Sequence, residues 1–310
     1  MMKLKPYLRN LTFPVLALGL SLCASCSQRP TSTEPQNADE LFLKSFRSTL
    51  KFDTPLYANA RLAGSTLWIY IATEKEILTL DRSPQQKESQ EKIFLEVKGE
   101  YSPDLNFKFY YSVYMIPKVP ETAFKEEVSV TGVTENFTNT MQEITNKVYS
   151  SMADLIYSAG KELKFFVVVI ADIKKGIEVK TSINRADLEK YIVGIIPAEQ
   201  FHTRTLIKVK GDERIVNDKQ GRHLNYKDIS LTDFITELTT QQAKQEFAKL
   251  GDAGKNSLKA KDLILKALYK FSKIYEFDDF FRVETTDATL RETQSLTRYE
   301  LMEKFKETQI

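Results

Sequence analysis

The sequence predicts an α+β fold of mostly antiparallel sheets with packed amphipathic helices, and three observations carry that expectation. Residues 164–171 (KFFVVVIA) form the most apolar run after the N-terminus; the turn sequence DIKKG and an alternating segment follow, which together read as a β-hairpin. Apolar residues recur every three or four positions over 134–159, the spacing of a long helix with one buried stripe. A helix followed by an apolar strand recurs at 39–72, 134–171 and 256–285, a pattern that repeated helix–strand modules would produce and that plain succession of elements would produce as well.

The elements follow in order. Leu43, Phe46 and Leu50 place one apolar face on a helix over 39–50. After a loop with Pro55 and Gly64, the β-branched and aromatic run STLWIYIA predicts a strand over 65–72, and DRSPQQKESQEK then reads as a surface break. Strands are predicted over 92–99 and 106–116 with a turn around Pro103 and Asp104. The second carries Phe107, Phe109 and Tyr111 on one face and Tyr110 and Tyr114 on the other, and is expected to be packed on both sides. Pro117 and Pro120 end it.

In the long helix, Met141, Ile144, Val148, Met152, Leu155 and Ala159 hold the stripe and Gly160 is the stop signal. The strand over 164–171 is expected to lie centrally, buried on both faces. In its partner, Ile177, Val179, Thr181 and Ile183 alternate with Glu178, Lys180 and Ser182, which predicts one buried and one solvated face. Asn184 offers an N-cap to a short helix that ends before Pro197. Segments 205–210 and 213–216 flank Gly211 and Asp212 as a second hairpin, and 218–221 reads as a turn. A helix from Ser230 or Thr232 to Leu250, a break at Gly251 and Gly254, a helix over 256–275, a strand over 280–285 and a helix over 297–306 complete the chain. The folded part divides into an α+β region, 39–225, and a mainly helical C-terminal region, 226–310.

The first ten residues, MMKLKPYLRN, carry three basic residues and no acid, and residues 11–22 (LTFPVLALGLSL) are uncharged. This is a basic segment followed by a short apolar one. A membrane span needs about 20 apolar residues, so a signal peptide over 1–25 fits better than a permanent anchor. Cys26 is preceded by Ser25, Ala24 and Cys23, small residues next to a cleavage point. This segment resembles the lipobox of bacterial lipoproteins, with Cys23 standing where Leu is usual. The resemblance implies cleavage before Cys26, a diacylglyceryl group on its sulfur, an acyl chain such as palmitate on its amino group, and attachment to the bacterial cell membrane or outer membrane. Residues 26–38 are polar and Pro-rich, and would form a flexible tether of at most about 40 Å.

Loss of residues 1–25 removes Lys3, Lys5 and Arg9, which turns 44 basic and 42 acidic residues into 41 and 42, a formal charge of −1. That balance offers no reason to expect a nucleic-acid partner. It also leaves a single cysteine, so the fold must be held by an ordinary core.

The chain has two histidines, His202 and His223. A site can be drawn from Glu199, His202, Arg204, Asp218 and His223, with a carboxylate orienting a histidine base and Arg204 or Arg222 holding an anionic substrate. No G-x-S-x-G, phosphate loop or H-E-x-x-H is present, and no cofactor or metal is expected. The sequence therefore points to a lipid-anchored envelope protein that binds a partner protein or envelope component without catalysis. The competing expectations are an envelope hydrolase or transferase using His202 or His223, and a lipid or small-ligand carrier using the aromatic strand at 106–116.

Overall fold

The computed structural model describes residues 43, 44, 46, 57–79, 92–116, 137–158 and 162–307. The leader with Cys26, the tether, the polar break after residue 80, Pro117, Pro120 and Gly160 lie outside them. Nine strands are present among the described residues: β1 (Tyr57–Ala63), β2 (Thr66–Thr73), β3 (Lys92–Ser102), β4 (Asn106–Ile116), β5 (Phe165–Asp172), β6 (Ile177–Asn184), β7 (Leu206–Gly211), β8 (Arg282–Asp287) and β9 (Glu292–Thr297). The helices are α1 (Asn139–Ser158), α2 (Arg185–Ile192), α3 (Ala198–Thr203), α4 (Leu231–Ala248), α5 (Ser257–Ile274) and α6 (Arg298–Lys304).

The strands make two mixed, mostly antiparallel sheets. The first has the order β1-β2-β5-β6-β7 and the second β3-β4-β8-β9. Only β2 with β5 and β4 with β8 run parallel. Every residue of β2 and of β5 is buried, which is the environment their uninterrupted apolar runs require. On one face of this sheet, Leu67, Ile69 and Ile71 of β2 and Phe166, Val168 and Ile170 of β5 pack in one core with Met141, Ile144, Val148 and Met152 of α1. Phe46, in the helical stretch before β1, joins that core. The second sheet packs its inner face, including Val97, Phe107, Phe109 and Val283, against Phe234, Leu238, Ile264 and Leu268 of α4 and α5.

The helix–strand recurrence extends to hydrogen bonds. β5 and β8 share the pattern FF-V---D, through Phe165, Phe166, Val168 and Asp172 in one and Phe280, Phe281, Val283 and Asp287 in the other. In each, the final Asp pairs with the first residue of the next strand across a four-residue loop, Asp172 with Ile177 and Asp287 with Glu292. Asp172 Oδ1 accepts from the backbone N–H groups of Lys174 (3.1 Å) and Lys175 (3.0 Å). Asp287 Oδ1 accepts from Thr289 (2.8 Å) and Leu290 (3.0 Å). The last loop residue is left-handed in both, Gly176 at φ 68° and Arg291 at φ 57°. The residue after each Asp donates to the parallel neighbour, Ile173 to Thr73 O and Ala288 to Tyr111 O. Each sheet thus contains two hairpins joined by a parallel central pair, with β7 added at the β6 edge of the first, and the two sheets are interleaved along the chain.

Three sequence expectations are corrected by the packing. β4 is covered on one face only among the described residues: Tyr110 is 45 % exposed, and Phe94 and Tyr114 on the same outer face are also open. The polar face of β6 is not freely solvated, because Glu178 and Ser182 are buried and Lys180 is half-buried, with Glu178 held against His223 of the segment after β7. Residues 213–216 do not form a strand; Glu213–Ile215 is a 3₁₀ turn, started where Asp212 accepts from Arg214 N–H, and β7 pairs with β6 instead. On either side of residue 225, β3 and β4 before it and β8 and β9 after it share one sheet within the unit Ala38–Ile310.

Asp172→Ala and Asp287→Ala each remove two hydrogen bonds from backbone donors to a buried carboxylate. Each is expected to cost about 1–3 kcal/mol in urea unfolding. The loss should be larger at Asp287, which also accepts from the Ser257 hydroxyl; equal losses would contradict that assignment.

Candidate functional site

The second face of the first sheet presents Trp68 and Tyr70 from β2 and Val167, Val169 and Ala171 from β5. Among the described residues no α-helix covers them. Segment 212–229 does so instead, through Ile215, Leu224, Tyr226 and Ile229. A segment without regular structure needs specific polar ties, and these are present. Trp68 Nε1–H donates to Lys227 O (2.9 Å) and the Tyr70 hydroxyl to Asp218 O (2.5 Å). Asp228 accepts from Ser65 N–H (3.1 Å) and the Thr66 hydroxyl (2.7 Å). Gly221 sits at φ 69° against the Tyr70 ring, where a Cβ would fall 2.8 Å from Tyr70 Cγ. The position thus requires glycine for both conformation and space.

His223 lies at the centre of this segment. Its Nδ1 is 2.6 Å from Asp218 Oδ2 and its Nε2 is 2.7 Å from Glu178 Oε2. The same Asp218 oxygen accepts the His223 backbone N–H (3.1 Å), and Asp218 Oδ1 accepts from Gln220 N–H (3.0 Å), so one carboxylate shapes the whole turn. The ring packs edge-on to Tyr70, with centroids 5.8 Å apart, and only 2 % of the side chain is exposed. Burial opposes the imidazolium, but the hydrogen bonds and charges of Glu178 and Asp218 outweigh it and raise the pKa above the ordinary 6.5. Burial likewise opposes the Asp218 carboxylate, yet the bonds from His223 and two backbone N–H groups bring its pKa below 3.8. Burial, then the two nearby carboxylates, push the Tyr70 hydroxyl well above its usual value. With each ring nitrogen at hydrogen-bond distance from a carboxylate, the imidazolium is the form that can donate to both.

The structure therefore joins two members of the sequence-derived site, Asp218 and His223, and adds Glu178. The others lie elsewhere. Arg204 pairs through Nη1 with the buried Asp187 (3.0 Å), whose second oxygen accepts from the Tyr275 hydroxyl (2.6 Å), and so ties α2 to α5. Glu199 and His202 are exposed on α3, and Arg222 points to Gln220. The signal for Glu178 was its position: a carboxylate on the polar face of a strand beside one buried on both sides has little water to face.

Beyond the histidine, the uncovered part of β6 and β7 floors an open cleft of about 410 Å³, walled by segment 212–229 and the start of α4. Lys180, Lys208, Lys210, Arg214 and Lys227 line it, with Asp233 and Glu237 on the α4 side. Lys208 pairs with Glu237 (2.8 Å), and Lys210 and Arg214 both pair with Asp212. Among the described residues, no group of three or more His, Cys, Asp or Glu side chains is arranged to hold a metal ion, and no helix is long and apolar enough to cross a membrane. Comparison of the chain with family models, with curated proteins and with solved structures finds no match.

His223→Gln leaves two buried carboxylates without their cation, at an expected cost of about 3–5 kcal/mol in urea unfolding. The sign of the pH dependence follows from the raised pKa. The stabilisation from His223 is full below about pH 6.5 and is lost as pH rises through the higher folded value. Wild-type unfolding midpoints should fall across that alkaline limb, and the variant should lack this component. Arg204→Met should also cost about 3–5 kcal/mol by leaving Asp187 buried without its cation, and should keep the alkaline component because His223 is intact.

Proposed function

We propose that this protein is a lipid-anchored bacterial envelope protein, held through Cys26, that works by binding a partner in the cleft over β6 and β7. The observation that carries the binding half is the state of His223. A general base needs a free ring nitrogen within reach of the proton it takes, and both nitrogens here are taken up by carboxylates. Glu178 occupies the place next to Nε2 where a nucleophile's hydroxyl would have to stand. The Asp218–His223 contact thus reads as a brace for the cleft wall, which weighs against a hydrolase or transferase that uses His223, and His202, exposed on α3, does not line the cleft. The carrier reading is weakened by the full burial of Phe107 and Phe109 against α4 and α5, where a lipid cavity would be needed. The anchor half rests on the leader sequence and the small residues before Cys26.

Each half has its own test. Metabolic labelling with a fatty-acid analogue should mark the wild-type chain and leave Cys26→Ala unmarked; a labelled variant would overturn the anchor. A photo-crosslinking residue placed in living cells at Asn225, on the cleft wall, should give a discrete adduct that is absent from the same residue at Tyr299 on α6. Identical adduct patterns at the two positions would overturn binding in the cleft.

A further inference from the structure

An open sheet must deal with its edge strands, because their outward N–H and C=O groups can pair with another chain. At the β7 edge of the first sheet, the Gln241 side chain takes up Ile207 N–H (3.0 Å). At the β9 edge of the second, the strand ETQSLT is exposed at every position but the half-buried Leu296, and it carries no Pro, Lys or bulge.

The phase of the ladder tells which of its groups are open. Arg298 N–H donates to Phe281 O (2.9 Å), one step beyond the pair Arg282–Thr297. Bonded pairs alternate in an antiparallel ladder, so Leu296, Gln294 and Glu292 bond to β8, whereas Thr297, Ser295 and Thr293 turn their main-chain groups away from it. Thr297 is closed by its own cap: Glu300 Oε2 accepts its N–H (2.7 Å), and its C=O begins α6. Ser295 and Thr293 have no such cover, and among the described residues their outward N–H and C=O groups have no partner.

We infer that β9 pairs with β9 of a second copy of this chain, antiparallel and about a two-fold axis at Gln294. In that register Thr293 of each copy exchanges hydrogen bonds with Ser295 of the other, which uses every open group and no others. An axis at Thr293 would set Ser295 against Arg291 in its left-handed turn (φ 57°), and one at Ser295 would set Thr293 against the capped Thr297. The ends agree with the middle. Arg291 comes opposite Thr297 of the second copy, whose Glu300 carboxylate lies there, so opposite charges meet at each end. The turn that carries Leu290 comes beside the first turn of α6 of the second copy, which carries Tyr299. These two large side chains are 59 % and 73 % exposed, and the pairing gives each a neighbour. Glu292 meets Leu296, so no like charges stand opposed. An unrelated peptide could satisfy the main chain of β9 but has no reason to match both ends.

The pairing uses no residue of the cleft, and it stands or falls apart from that site. Its test is oxidative crosslinking of the full-length protein in detergent. The two Gln294 residues would meet at the axis as a non-bonded pair with Cα atoms about 4.5 Å apart, within reach of a disulfide. Gln294→Cys should therefore give a covalent dimer as its main product, about fivefold or more above Thr293→Cys, Ser295→Cys and the exposed Val193→Cys. The wild-type chain sets the background from its native cysteines. Adding Ser295→Pro to Gln294→Cys removes an outward N–H and none that serves β8, so the urea midpoint should hold while the dimer falls about fivefold or more. Adding Arg291→Glu, which touches no rung, should lower the dimer about two- to fivefold by setting it against Glu300. A Gln294→Cys chain that stays monomeric, or equal yields at positions 293, 294 and 295, would overturn the pairing. So would a dimer that neither added substitution diminishes.

Discussion

The architecture turns on the complete burial of β5. A strand with apolar side chains on both faces must be covered twice, and each large aliphatic residue kept from water contributes about 1.5–3 kcal/mol. Helices α1 to α3 meet the first demand. The second falls to segment 212–229, which has no long element to hold its shape and so depends on Trp68, Tyr70, Asp218, Asp228 and His223 for its path. That segment covers β2 and β5 and stops short of the β6–β7 edge. The cleft is what the cover leaves open, so the polar cluster and the cleft both follow from one packing constraint.

The interleaving of the two sheets has its own consequence. Sheet two cannot be completed until β8 and β9 arrive, about 170 residues after β4, and the chain between them builds most of sheet one. Phe165, the first residue of β5, and Leu206, the first of β7, pack into the core of the second sheet against α4 and α5. The sheets are therefore coupled through strand ends, with the Arg204–Asp187–Tyr275 contact as a polar tie across the same junction. The cleft lies beside this junction, between the β7 edge of the first sheet and the start of α4.

What could be read from the sequence follows from how much signal each element carries. α4, α5 and α6 were legible to within a few residues because Ser230, Asn256 and Thr297 are capping residues ahead of apolar periodicity, and each accepts the expected backbone N–H. β5 and the DIKKG turn were legible from an apolar run and an Asp–Gly frame. β1 and β9 were not. YANARLA and ETQSLT are edge strands with little to bury, held by the hydrogen bonds of a neighbour that local pattern does not encode. The candidate site was half legible: Asp218 and His223 are five residues apart and meet within one turn, whereas Glu178 comes from 45 residues away and depends on register.

The residue that most resembled a catalyst is best understood through the cost of its surroundings. A neutral His223 could satisfy one carboxylate as donor but would present a lone pair to the other, so neutrality would set acceptor against acceptor in a buried place. Protonation removes that conflict and gives both carboxylates a donor. The geometry thus favours the charged form, and both ring nitrogens are occupied in it. The same arrangement suits a wall: three charged groups from two parts of the chain, satisfied only in one relative position, fix segment 212–229 against β6. A binding groove needs a wall that keeps its shape when empty, because rigidity before binding reduces the ordering that binding must impose.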